Sequence, residues 1–221
     1  MQLAIFDVDG TLVSGYSTEK RFMAWLLRRG HIGPRQLFAA SWFIVRHFPT
    51  FGRHVFRKNK AYLSGLSEST IADEAIRFVE ALPETAWIQS TVAELRLKKQ
   101  QSYIVVLLSG SLQPIISALS AHLGTDDAVG TSCHVVNGRY TAAPPEQHPF
   151  FEEKATLQQK IIDSYQVANV EVCSYADSRY DIPMLKRVGN PVAVWPDDEL
   201  DAWAKTNNHR VMNSDKGRGM K

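Results

Sequence analysis

Apolar and polar positions along this chain alternate between two periods. Leu3, Ala4, Ile5 and Phe6 form a short continuous apolar run that stops at Asp7, the mark of a strand buried on both faces. Beyond Thr11 the apolar residues recur at helical spacing: Phe22, Trp25 and Leu26; Leu37, Phe38, Trp42 and Val45; Val55, Phe56 and Leu63; Ile71, Ala75, Phe78, Val79 and Leu82. Gly and Pro predict breaks at 30–34, 49–52, Gly65 and Pro83, and Thr70-x-x-Asp73 reads as a helix start. The result is a helical block of roughly seventy residues, large enough for an independent lobe.

Downstream the strand signal returns. The pattern predicts a helix over 86–99, a buried parallel strand over 103–108 ended by Ser109-Gly110-Ser111, and a helix over 113–123. Asn137-Gly138 between two short strand-like runs predicts a hairpin within 131–141. After the Pro-rich link 144–149 come a helix over 153–165, a strand over 170–175 leading to Asp177, a strand over 191–195, and a last helix over 197–206. From Asn207 to Lys221 the chain is polar and contains Gly, which predicts a frayed tail. Alternating strands and helices imply an α/β fold, a parallel sheet with helices on both faces. Residues 1–14 and 85–206 would form it, with 15–84 inserted after the first strand as an all-helical unit and 207–221 as a polar tail.

Composition limits the function. A chain of 221 residues can hold one α/β core and an inserted subdomain. Its 25 Lys and Arg nearly balance 23 Asp and Glu, so the overall field implies no nucleic acid partner. Cys133 and Cys173 lie far apart with no C-x-x-C spacing, which argues against a disulfide scaffold or zinc and suits a reducing compartment. The longest apolar run, 37–45, is about half a membrane span. No charged segment with a cleavage site precedes the first strand, so a soluble cytoplasmic protein is the expectation. The seven histidines show no paired ligand spacing and are read mostly as surface or hydrogen-bonded core residues.

The chemistry gathers at strand ends. Three strands are predicted to end in polar residues: Asp7 with Asp9, Ser109, and Asp177. In a parallel sheet those ends share one edge, where ligands bind in open α/β folds. Two carboxylates at one strand end repel each other unless a cation, or a proton on one of them, relieves the charge. An Asp-Gly pair after a strand is also an ordinary turn, and a lone serine ahead of a helix is an ordinary cap. Together, however, Ser109-Gly110-Ser111 offers a hydroxyl and turn amides able to hold a phosphate oxygen.

Asp7-Val8-Asp9-Gly10-Thr11 resembles the first motif of the haloacid dehalogenase-like (HAD) phosphatases, Ser109 the second, and Asp177-Ser178-Arg179-Tyr180-Asp181 the fourth. The helical insertion resembles the cap of the phosphoserine-phosphatase-like branch, so the likeness extends to about residue 205. The resemblance implies a Rossmann-like HAD core and Mg²⁺-dependent hydrolysis of a phosphate monoester. Asp7 is then the nucleophile and Asp9 the general acid/base. Asp7, Asp177 and the main-chain carbonyl of Asp9 would be metal ligands, with Asp181 supporting them. Thr11, Ser109, Gly110 and Lys154 would bind phosphate. Relatives often carry Gly before that lysine, where this chain has Glu152-Glu153, and Lys160 is the alternative. Tyr180 stands where many relatives have Asn, and Asp181 could instead cap a helix ahead of Pro183.

The implied mechanism is attack by Asp7 on phosphorus to give an aspartyl-phosphate, with Asp9 protonating the leaving alcohol and then activating water. It asks for a raised pKa at Asp9 while Asp7 stays ionised. Closure of the cap would select the alcohol. In phosphoserine phosphatase a cap Glu reads the substrate amine; the corresponding position here is Tyr16, with Glu19 nearby, so phosphoserine itself is not the expectation. Around 37–60, Phe38, Trp42, Phe43, Phe48, Phe51 and Phe56 interleave with Arg35, Arg46, Arg53, Arg57, Lys58 and Lys60. Two readings stay open: a helical cap core with a basic solvent face, or a surface that receives a lipid phosphate or an anionic membrane. The expected partner is a phosphorylated small molecule or lipid monoester. Rival functions are a non-catalytic module that binds a phosphorylated ligand, and a phosphotransferase.

Overall fold

The computed structural model describes residues 1–15 and 17–213 of the chain; Tyr16 and residues 214–221 lie outside them. The described chain runs β1 (Leu3–Phe6), α1 (Thr18–Arg28), α2 (Pro34–Phe51), α3 (Val55–Lys58), α4 (Glu68–Glu80), α5 (Gln89–Gln100), β2 (Ile104–Leu112), α6 (Gln113–Leu123) and β3 (Asp127–Thr131). A hairpin of β4 (Val135–Val136) and β5 (Arg139–Tyr140) follows, then α7 (Glu152–Ser164), β6 (Val172–Ala176), α8 (Ile182–Leu185), β7 (Asn190–Val194), α9 (Asp198–Thr206) and β8 (Arg210–Met212). The hairpin turns on Asn137 and Gly138, both at positive φ, as a tight two-residue turn requires.

Six parallel strands form the sheet in the order β3-β2-β1-β6-β7-β8. β1 pairs through Leu3–Phe6 with Ile104–Leu107 on one side and Val172–Tyr175 on the other. Flanked on both edges, all four of its residues are buried, which is why they are all apolar. Strand order reverses at β1, so the crevice beyond Phe6 is the switch point of the sheet. Alternation along the strand divides the core: Leu3 and Ile5 pack with α7, α8 and α9, whereas Ala4 and Phe6 face α1, α4, α5 and α6.

The helical insertion differs from an independent lobe. Phe22, Leu26, Ile71, Ala75, Phe78 and Val79 of α1 and α4 belong to the same apolar cluster as Phe6 and Leu107 of the sheet. α2 and α3 carry a small cluster of their own, Phe43 and Val55 with Ala61, and α2 also touches the main cluster through Ala40. The two ends of the insertion are stitched together: Ser14 N–H donates to Ala86 C=O at 2.8 Å, and Ile88 N–H to Leu12 C=O at 2.9 Å. Among the described residues no helix is long and apolar enough to cross a membrane.

Four expectations are corrected. β2 does not stop at Leu108 but continues through Ser109-Gly110-Ser111 to Leu112, because it bulges: Leu108 pairs with Val129 and Leu112 with Thr131. β3 itself was hidden behind the hairpin signal. Helix α4 starts at Glu68 behind Ser67, leaving Thr70 inside its first turn. The expected tail instead supplies the edge strand β8, held by Arg210, whose guanidinium donates twice to Glu94 of α5 at 2.8 and 3.1 Å. Glu94 also accepts from the Tyr175 hydroxyl at 2.8 Å, and Tyr175 stacks on Phe6 with centroids 4.1 Å apart.

Candidate active site

Every element that ends near the switch point delivers a polar side chain there. Asp7 follows β1 directly, its N–H bonded to Tyr175 C=O at 2.9 Å. The chain then folds back sharply, with Gly10 and Leu12–Val13 N–H groups paired within residues 8–13. Gly10 takes a φ of +80°, and a Cβ there would overlap the carboxyl of Asp177, so only glycine lets the β1 and β6 ends approach this closely. Asp177 follows β6, and Asp181 stands just before α8.

One carboxylate oxygen from each of Asp7, Asp177 and Asp181 lies within 4.8 Å of the others. Lys154, in the first turn of α7, is buried among them: its Nζ is 2.8 Å from Asp7 Oδ1 and 2.7 Å from Asp181 Oδ1. The adjacent glutamates do not compete for it. Glu153 accepts from His148 N–H at 2.7 Å, and Glu152 pairs with Arg187 at 3.2 Å. Lys160, the alternative lysine, is exposed. Asp181 occupies the residue before α8, yet its side chain makes no capping bond and reaches Lys154 instead.

Asp9 is held differently. Its Oδ1 accepts from Thr18 N–H at 2.6 Å and from the Thr18 hydroxyl, and its Oδ2 accepts from Ser111 Oγ at 2.9 Å. The N-terminus of α1 therefore points at this carboxylate. Ser109 is buried, and its Oγ accepts from Ser111 N–H at 3.2 Å. Thr11 is fully buried, and its Oγ1 has no hydrogen-bond partner among the described residues. Gly110 C=O accepts from Thr131 Oγ1 at 2.6 Å.

Electrostatics marks the cluster as short of positive charge. Burial pushes the Asp7 carboxyl up to about 7, Lys154 working against the rise and Asp181 adding to it. Burial likewise lifts Asp177 to about 8, with Asp7 and Asp181 adding to it. Burial lowers the Lys154 pKa, but Asp181 and Asp7 outweigh it and raise the value above that of a free lysine. One ammonium shared between two carboxylates leaves the third uncompensated. The expected separation, with Asp7 left ionised, is thus not that of the protein alone: Asp7 needs a further cation. An all-oxygen set of buried carboxylates suits a hard divalent cation such as Mg²⁺, and the orphaned Thr11 hydroxyl suits an oxygen-rich ligand beside it.

Several residues beside these groups make contacts that the sequence reading did not assign. Thr18 and Ser111 hold Asp9, and Ser111 could have been suspected as the second hydroxyl of Ser109-Gly110-Ser111. Glu19 is paired with buried Lys60 at 2.7 Å and accepts from Tyr62 at 2.9 Å. His148 is buried, with Nδ1 on Thr131 Oγ1 at 2.8 Å and Nε2 unpartnered among the described residues. Burial, with Lys60, Lys58 and Arg57 nearby, lowers its pKa to about 3 and keeps it neutral. Tyr180 lies under the Arg57 guanidinium with Phe150, so α3 closes on the core beside the motif. A hollow of about 400 Å³ between α4 and α6 is lined by none of Asp7, Asp9, Asp177 and Asp181. Tyr16 lies outside the described residues.

The family model for haloacid dehalogenase-like hydrolases matches residues 4–186, which include all of these groups. The chain belongs to that family. This hydrolase is 26% identical over 220 residues to a histidinol-phosphatase of Neisseria meningitidis, covering 96% of this chain and 98% of the relative. A solved Bordetella pertussis protein of unknown function shares its fold with a TM-score of 0.76 at 20% identity, over 96% of this chain and 97% of that one. A phosphoserine phosphatase solved as a phospho-aspartyl intermediate analogue superposes with a TM-score of 0.57 at 16% identity, over 95% and 91%.

Proposed function

We propose that this hydrolase is a Mg²⁺-dependent phosphomonoesterase in which Asp7 is the nucleophile. The observation that carries the reading is Lys154, a buried ammonium bridging Asp7 and Asp181 inside a cluster of three carboxylates that still lacks positive charge. Asp7, Asp177 and the main-chain carbonyl of Asp9 would hold Mg²⁺, with Asp181 supporting them through Lys154. The cation supplies charge neutralisation for the phosphate oxygens and for the carboxylates around them.

This chain's own groups do the rest. Phosphate monoesters resist attack because their oxygens repel anions, so alignment and neutralisation dominate the barrier. Lys154, Thr11 Oγ1, Ser109 and Gly110 would hold the phosphate with its phosphorus facing Asp7. Attack forms a bond from an Asp7 oxygen to phosphorus and breaks the bond to the ester oxygen, which takes a proton from Asp9 as it leaves. Asp9 then removes a proton from water, whose oxygen attacks phosphorus, frees phosphate and restores Asp7. Ser111 and Thr18 position Asp9 for both transfers. The helices between Ser14 and Ala86 act as a cap, and α3 meets the core at Phe150 and Tyr180.

The leaving alcohol would enter between cap and core, near the Glu19–Lys60 pair and neutral His148. A small polar alcohol fits those groups, and the full-length likeness to a histidinol-phosphatase puts histidinol phosphate first in a panel of phosphorylated metabolites and lipid monoesters. The deciding experiment measures release of p-nitrophenol from p-nitrophenyl phosphate with Mg²⁺. Turnover is expected, and both EDTA and Asp7→Asn should abolish it. Metal-dependent ligand binding without turnover would instead indicate a phospho-ligand-binding module. Transfer of phosphate to an added alcohol would indicate a phosphotransferase.

A further inference from the structure

Helix α2 carries an apolar face that the protein leaves uncovered. At 3.6 residues per turn, Leu37, Phe38, Trp42, Val45 and Phe48 share an arc of about 140°. It lies opposite Phe43, the one buried side chain of the helix. Each of the five is half exposed or more, with Phe38 at 72% and Val45 at 67%. Phe56 of α3 is exposed as well, at 62%. A surface helix ordinarily turns polar residues outward, so an outer arc of this composition marks a contact surface.

The surrounding charge selects the partner. Residues 20–67 hold ten of the 25 Lys and Arg and none of the 23 Asp and Glu, so the remainder of the chain is net acidic. On the helical wheel Arg35 and Arg46 fall beside Trp42 at the rim of the arc. Arg53 sits in the turn that follows α2, and Lys58 is the last residue of α3. None of these four makes an ion pair among the described residues.

We propose that this face docks on an anionic lipid surface, its aromatic and aliphatic arc entering the headgroup boundary and its cations meeting lipid phosphates. A second copy of the chain is a poor occupant, because two-fold closure of the face on itself would set its cations against one another. Trp42 at the rim suits the interfacial depth. The inference uses no residue of the carboxylate site and stands apart from the phosphatase reading.

The test sediments the full chain with vesicles of phosphatidylcholine, with and without phosphatidylserine. The parent should bind the mixed vesicles at least tenfold better than the neutral ones, and added salt should weaken that binding. The double variant Phe38→Ser/Trp42→Ser and, separately, Arg46→Glu/Arg53→Glu should each lower the bound fraction about tenfold. Both should keep the parent circular dichroism and hydrolysis of a soluble ester. Equal recovery on neutral and mixed vesicles, or unchanged binding by either folded variant, overturns the proposal. So does concentration-dependent dimerisation that Phe38→Ser/Trp42→Ser abolishes, which would assign the face to a second copy.

Discussion

Replacing Lys154 with methionine removes the ammonium shared by Asp7 and Asp181 while keeping the length of the stem. The substitution breaks two buried ion pairs, at 2.8 Å to Asp7 and 2.7 Å to Asp181. Asp7 already stands near 7 with the ammonium in place, because burial outweighs Lys154. Without Lys154 it moves higher still. Protons set the sign of the effect. The folded carboxyl keeps its proton at pH values where the unfolded one, at about 4, has lost it. Such a group therefore subtracts stability as pH rises from about 4 toward its folded value, and subtracts fully above it. Lys154→Met extends and deepens that loss on the alkaline side. Stranding the partners of a buried ammonium costs about 3–5 kcal/mol when they are ionised. Near pH 5 Asp7 keeps a proton, and its share of the cost shrinks toward that of a missing hydrogen bond, about 1 kcal/mol. Urea unfolding of parent and variant in EDTA, at about pH 5 and about pH 8, reads the difference directly. Turnover should drop about 10²–10³-fold, as for loss of one charge-stabilising group. A destabilisation of the same size at both pH values, or full turnover in the folded variant, would refute the shared ammonium.

Two further outcomes follow from the same cluster. Mg²⁺ must displace protons from Asp7 and Asp177, which lie near 7 and 8, so the rise in Tm on adding Mg²⁺ should grow between about pH 6 and about pH 8. A rise of equal size across that range would count against these carboxylates as the metal site. Gly10→Ala forces a side chain at positive φ against Asp177, costing about 1–2 kcal/mol in backbone strain and moving the carboxyl. Its Mg²⁺-induced Tm rise should largely vanish, and a parent-like Mg²⁺ titration would show that the close approach of the β1 and β6 ends is not required.

The legible parts of the molecule were those with local causes. β1 and its acids announce themselves because four apolar residues, two carboxylates and a Gly stand in one unbroken stretch. The family resemblance extended that stretch to Ser109, Asp177 and Asp181, and the sheet brings the acids together. Lys154 was harder to place, because its glutamate neighbours looked like a charged surface turn. Their true partners, His148 and Arg187, are distant in sequence. β8 was illegible for the same reason: Arg210 reads as a tail residue until Glu94, on the far side of the chain, is known to face it. Helical periodicity correctly grouped Phe38, Trp42 and Val45 on one face of α2, but spacing says nothing of which face a neighbour covers. Phe43 took the inside, and the reading of these aromatics as a cap core fails for Phe38, Trp42, Phe48 and Phe56.

Three buried carboxylates around one lysine make a poor stability device. Burial, with their mutual repulsion added, raises two of them to around neutrality, and replacing such a group with apolar residues is often neutral or stabilising. The arrangement persists because each acid is fixed by a separate rigid element: Asp7 by β1 within two paired neighbours, Asp177 by β6, and Asp181 by the start of α8. Their backbones cannot move apart without unpairing a central strand or breaking the short turn before α8. The sheet therefore holds in place a shortage of positive charge that a bound cation would relieve, which is the condition under which binding energy is spent on chemistry rather than on folding.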